Sequence, residues 1–160
     1  MVNYACCFEK DAQFMYVKDI LKAKGSNVIA VDLLMTAQSV AKIFSNEKIG
    51  FAIVRDKSGK IVGTVTERDI VHNIAAKDAG SMSTPVKDFM TKKIVTCAPD
   101  DSLPRVMSLM TVRRTRHVLV MNGDEVAGVV SIGDAVKVRL EESMLDEASL
   151  RDYVSGMGYN

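Results

Sequence analysis

The feature that most constrains this chain is an internal repeat. VIAVDLLMTAQSVAKIFSNEKIGFAIV, from Val28, aligns without a gap on IVTCAPDDSLPRVMSLMTVRRTRHVLV, from Ile94. Val40 falls on Val106, Ile43 on Leu109, Phe44 on Met110 and Val54 on Val120. One residue is lost in the following turn, DKSGK in the first copy and NGDE in the second. The pattern then resumes, with Gly63 on Gly128, Thr66 on Ser131 and Asp69 on Asp134. A shorter echo comes earlier: Val17-Lys18-Asp19-Ile20-Leu21 resembles Val86-Lys87-Asp88-Phe89-Met90. Self-similarity on this scale decides the architecture before any single element does.

Both copies predict the same elements. A short apolar strand (28–31; 94–97) precedes a helix, whose start in the second copy is signalled by Asp100, Asp101 and Ser102. Val40, Ile43 and Phe44 recur at helical spacing, as do Val106, Leu109 and Met110. FAIV and HVLV lead through Gly-bearing turns into IVGTVT and VAGVVS, which reads as a hairpin. A last helix starts near Thr66 or Ser131. One such unit of about 60 residues leaves an open apolar sheet face and is marginal alone. The expected fold is therefore α+β, with two units packed sheet to sheet about a pseudo-twofold axis. The expected divisions are an N-terminal segment with a leading helix (1–24), a first repeat (25–79), a linker and second leading segment (80–90), a second repeat (91–142) and a tail (143–160). The linker AKDAGSMSTP, from Ala76, is small and polar and ends in proline.

Composition narrows the partners. With a formal net charge of +1 over 160 residues, bulk electrostatics gives no argument for nucleic acid or membrane. The three cysteines, Cys6, Cys7 and Cys97, include an adjacent pair and no CxxC, so free thiols are expected rather than a disulfide framework or zinc site. MVNYACCFEK lacks the layout of a signal peptide, and no apolar run approaches the ~20 residues of a membrane span. A cytoplasmic location is the expectation.

The chemistry concentrates where the hairpin meets the last helix. Thr66 and Asp69 have the spacing of a capping box, in which hydroxyl and acid satisfy free backbone N–H groups. The same geometry suits a ligand. A helix N-terminus favours phosphate, a hydroxyl adds a hydrogen bond, and a carboxylate accepts from vicinal ribose hydroxyls. Gly63 and Gly128, on the preceding strand, mark a bulge or a close backbone approach.

GTVTERD and GVVSIGD, each closing such a hairpin and paired with VKD-type leading segments, resemble the CBS domain, named for cystathionine β-synthase. Two in tandem resemble a Bateman module, over about Val17 to Leu140. The resemblance implies βαββα repeats, two clefts related by the pseudo-twofold, and a homodimer of two pairs. It implies an adenosine-containing ligand, AMP foremost, with ADP, ATP, NAD or S-adenosylmethionine as alternatives. It implies no required cofactor and no catalysis, but an energy or redox signal passed to an unidentified partner protein. On that resemblance Asp69 and Asp134 bind ribose, and Thr66 and Ser131 face ribose or phosphate. Thr96, two residues after Ile94, helps frame the nucleotide; Ala30 replaces it in the first copy, two residues after Val28. Arg116 and His117 match phosphate-facing positions, where the first copy has Gly50 and Phe51. The Asp134 cleft is thus the expected primary site. Arg68 offers a phosphate contact to the Asp69 cleft. Arg113, Arg114, Lys92, Lys93 and His72 are expected to be solvated.

EESMLDEASLRDYVSGMGYN, from Glu141, continues the last helix until Gly156 and Gly158, and its ending resembles that of small stand-alone CBS-pair proteins. An enzyme finds no support in GxSxG, metal-ligand or Walker-type patterns. A scaffold, or a nucleic-acid binder using RRTRH, is the alternative, weakened by neutral charge and few aromatics.

Overall fold

The computed structural model describes residues 15–77 and 80–156; Cys6, Cys7 and the ends of the predicted first and last divisions lie outside them. Each repeat forms one mixed three-stranded sheet. In the first, β1 (Ala30–Asp32) runs parallel to β2 (Phe51–Arg55), which pairs antiparallel with β3 (Ile61–Thr66). In the second, β4 (Thr96–Cys97), β5 (His117–Asn122) and β6 (Glu125–Ser131) repeat that order. The first strands pair later than expected. The Ile29 and Val95 carbonyls, accepting from Ile53 and Leu119 N–H at 3.0 Å, extend the ladders back toward Val28 and Ile94.

Helices α2 (Ala37–Glu47) and α4 (Leu103–Arg113) cover the sheets, and α3 (Glu67–Ala76) and α5 (Ile132–Gly156) follow the hairpins. α2 begins at Thr36, whose hydroxyl accepts from the Ser39 N–H. Lys48 and Arg114 end α2 and α4 in left-handed conformation. α5 does run on through the tail sequence to Gly156.

Strand alternation separates three cores. Ala52 and Val54 of β2 pack with Val40, Phe44 and Ile70 inside the first repeat. Val118 and Val120 of β5 pack with Val106 and Met110 inside the second. The opposite faces supply Phe51, Ile53 and Leu119, which meet in a third cluster flanked by Val28 and Ile94. The sheets pack on each other there. Burial on both faces explains why FAIV and HVLV are continuous apolar runs rather than alternating ones.

The leading segments exchange places. α1 (Val17–Lys24) precedes the first repeat but buries Val17, Ile20 and Leu21 in the core of the second. Val86, in a short 3-10 turn before the second repeat, is fully buried in the core of the first. The anchoring is symmetric: Val17 and Lys18 N–H groups donate to the Asp101 and Pro99 carbonyls, and Val86 and Lys87 N–H groups to Met35 and Leu33. The repeated glycines make room for this. A Cβ on Gly128 would lie 2.6 Å from Leu21 Cδ2, and one on Gly63 2.9 Å from the Thr91 carbonyl oxygen. Each glycine also sits opposite a strand irregularity, after Val54 and after Val120.

Candidate functional site

Two corners share one construction. At the first, Thr66 ends β3 in extended conformation and caps α3. Its hydroxyl accepts from the Asp69 N–H at 3.3 Å, and Asp69 Oδ2 accepts from the Thr66 N–H (2.8 Å) and hydroxyl (2.6 Å). At the second, Ser131 and Asp134 make the same three bonds at 3.2, 2.7 and 2.8 Å. These are capping boxes in both copies. The cap does not exhaust the acid; each carboxylate meets one further side-chain donor.

What meets each acid differs. Asp69 Oδ1 accepts from the Thr91 hydroxyl at 3.0 Å, a neutral donor. Asp134 Oδ2 meets the ammonium of Lys24, at the end of α1, at 2.6 Å. Burial pushes Asp134 upward, but the Lys24 bond and the Ser131 N–H and hydroxyl outweigh it and hold the carboxyl below its ordinary 3.8.

A cavity of about 430 Å³ opens on the Asp69 side, within the ~300–1,000 Å³ usual for small-molecule sites. Both repeats build it. The first supplies Gly50 and Phe51 where the chain enters β2, Thr66 to Asp69 at the β3–α3 corner, and His72 further along α3. The second supplies Arg113 to His117, between α4 and β5. Thr91, Lys93 and Val95 come from the segment leading into β4. The Phe51 and His117 rings, equivalent in the two copies, stack with centroids 5.0 Å apart and planes 25° from parallel. Burial lowers the His117 pKa, the Lys24 and Arg116 cations add to this, and Asp134 opposes it. His117 is therefore neutral at pH 7 and offers an aromatic face rather than a charge.

Five cations line the cavity, Arg68, Lys93, Arg113, Arg114 and Arg116, against two carboxylates, Glu67 and Asp69. Among the described residues none of the five is in an ion pair. Nor does any group of His, Cys, Asp and Glu among those residues form a metal-binding cluster. Cys97 is buried, and burial pushes its thiol up to about 11, which makes it a poor nucleophile.

The CBS-domain family profile matches residues 17–76 and 86–141, most of the chain. The chain belongs to the CBS-domain family. A CBS domain-containing protein, CBSX3, mitochondrial, from Arabidopsis thaliana is 33% identical over 152 residues, covering 89% of this chain and 73% of that one. The CBS-domain containing protein ATU1752 from Agrobacterium tumefaciens superposes with a TM-score of 0.78 at 37% identity, covering 82% of this chain and 99% of that one. More distant CBS structures share the fold. Protein PAE2072 from Pyrobaculum aerophilum, complexed with AMP, has a TM-score of 0.66 at 23% identity, covering 75% of this chain and 89% of that one. The CBS pair of MJ0100, in complex with 5'-methylthioadenosine and S-adenosyl-L-methionine, has a TM-score of 0.70 at 23% identity, covering 81% and 98%.

Within this CBS pair the expected site residues fall into two groups. Thr66, Arg68, Asp69, Arg116 and His117 line the cavity together. Ser131, Asp134, Thr96, Ile94 and Val28 are not on its wall. Thr96 is exposed on β4, while Val28 and Ile94 flank the inter-sheet core. The expected grouping of Arg116 and His117 with Asp134 is one side of their placement. His117 pairs with Ser131 across the β5–β6 ladder and feels the Asp134 charge, and both residues also line the Asp69 cavity. Their backbone does run beside the second corner, where the Arg116 carbonyl accepts from Ile132 N–H at 2.8 Å. But Arg116 and His117 also form the cavity wall opposite α3, because β5 starts against Phe51 at the centre of the molecule.

Sequence reasoning left Arg113, Arg114, Lys93 and His72 in solvent; they are exposed, yet they line the cavity. It did not single out Lys24 or Thr91. A signal for Lys24 was present. Lys24 stands seven residues after Val17 and Lys93 seven after Val86, so the repeated leading segments each carry a lysine toward one of the two clefts.

Proposed function

We propose that this CBS pair is a non-catalytic regulatory module that binds an adenine nucleotide, of the AMP, ATP or NAD class, between its repeats. The observation that carries the reading is the cavity beside Asp69. Among the described residues, the capped carboxylate there has its Oδ1 bonded only to the Thr91 hydroxyl, and five cations in no ion pair line the same cavity. A carboxylate so held accepts from ribose hydroxyls, the cations receive phosphate, and Phe51 with His117 supplies an aromatic surface. That distant CBS pairs hold AMP or methylthioadenosine and S-adenosylmethionine supports adenosine as the common element. The Asp69 cleft, rather than the Asp134 cleft, is the primary site in this reading.

Because the walls come from both repeats, a ligand that prefers one spacing of the repeats shifts the conformation a partner protein meets. Ile132, Val136, Leu140 and Met144 recur every fourth residue along α5 and are exposed, which supports association into a homodimer. Sedimentation of Leu140→Glu checks this: an unchanged oligomeric state rejects α5 as the contact. The ligand reading is tested by thermal shift with AMP, ATP, NAD and S-adenosylmethionine, since a ligand of the folded state alone raises Tm. At least one nucleotide raises Tm, and Asp69→Ala abolishes the rise. No rise with any of them removes the reading.

A further inference from the structure

We infer that the cavity beside Asp69 grips a chain of phosphates, so that a nucleoside triphosphate binds more tightly than the monophosphate. The inference rests on the nucleotide reading above but goes beyond it in naming the form of the ligand and three residues that select it. Those residues are Lys93, Arg113 and Arg114.

The charge of the wall sets the argument. Its seven charged residues are five cations and two carboxylates, a net of three positive charges with Asp69 keeping its own charge against the neutral Thr91 hydroxyl. The five cations have no ion-pair partner among the described residues. A monophosphate brings about 1.5 to 2 negative charges, which leaves part of this set unmatched. Each further phosphoryl group adds charge and acceptor oxygens. Exposed cations contribute little singly, but a cleft lined by one sign of charge focuses the field and strengthens the sum.

Their placement gives the set a direction. Arg68 lies beside Asp69 on α3, whereas Arg113 ends α4 and Arg114 and Arg116 follow it across the cavity. Arg114 is held in left-handed conformation, φ 51°, as the C-cap of α4. That conformation turns the chain from α4 into β5 and keeps three arginines within four residues on one wall. Lys93 enters from the segment that carries Thr91. A ligand held by its ribose at Asp69 thus shares the cavity with cations from three segments: α3, the α4–β5 turn and the stretch before β4.

Calorimetry on the full chain at low salt, with adenosine, AMP, ATP and inorganic tripolyphosphate, tests this. ATP binds about tenfold or more tighter than AMP, and added salt narrows the gap. The double variant Arg113→Gln/Arg114→Asn, with asparagine chosen because it tolerates the left-handed conformation, costs ATP about tenfold and AMP less than about twofold. If that variant does not fold, Lys93→Gln and Arg113→Gln singly show the same selective loss. AMP binding as tightly as ATP, or an ATP advantage that survives the variants, overturns the inference while the nucleotide reading stands. Tripolyphosphate binding without adenosine or AMP binding upholds the phosphate grip and removes the adenine reading. No binding by any of the four removes both.

Discussion

The Asp69 and Asp134 corners are built alike and end up unlike. Both carry a strand end, a hydroxyl cap and an acid three residues on, with near-equal hydrogen bonds. The difference lies in what the exchanged leading segments bring. The segment after Val86 lays Thr91 against Asp69, and α1 lays Lys24 against Asp134. A hydroxyl leaves the first carboxylate its charge, while an ammonium at 2.6 Å neutralises the second. A duplicated motif therefore says where a corner is, and its neighbours from the other end of the chain say whether it is open to a ligand.

Four variants break or sharpen that comparison. The largest effect belongs to Leu21→Ala. Leu21 is buried in the second repeat's core and fills the space above Gly128, so its loss costs about 3 kcal/mol in denaturant unfolding. A cost near zero shows that α1 is not integral to the second repeat, and with it Lys24 loses its footing. Next come the acids themselves. In direct binding of a nucleotide, Asp69→Ala loses affinity about tenfold or more and Asp134→Ala less than about twofold, reflecting one charged hydrogen-bond acceptor removed from an open site and one from a paired site. Equal losses erase the distinction.

The smallest effect is that of Lys24→Met, about 1 kcal/mol for a partly exposed pair. It carries a pH signature. The folded-state pKa of Asp134 lies below its ordinary 3.8, so the pair's contribution is present above that value. It is lost as pH falls through the folded-state pKa. Wild type and Lys24→Met therefore differ in Tm at pH 5 to 7 and converge in acid below about 3.8. A difference that persists unchanged into strong acid assigns the lysine's effect to packing.

The repeat made most of the fold legible. Its offset predicted both sheets, both hairpins and both caps, because strand alternation and capping act over a few residues. It also tied Gly63 to Gly128 as close-approach positions, and the structure supplies the approaching groups. The exchange of leading segments was not legible. Val17 lies next to the first repeat in sequence, and nothing local reports that its N–H donates to Asp101. The grouping of Arg116 and His117 with Asp69 was hidden for the same reason. It follows from the stacking of Phe51 on His117 at the centre of the molecule, a contact between copies rather than within one.

That exchange bears on what a single repeat would be. The first repeat without Val86 and the second without Val17, Ile20 and Leu21 each have a hole where a buried side chain belongs. A chain carrying one repeat and its own leading segment would have to lend that segment to a second chain and borrow one in return. Such a pair would fall apart on dilution. Joining the two copies end to end makes the loan internal, so the assembly no longer depends on protein concentration.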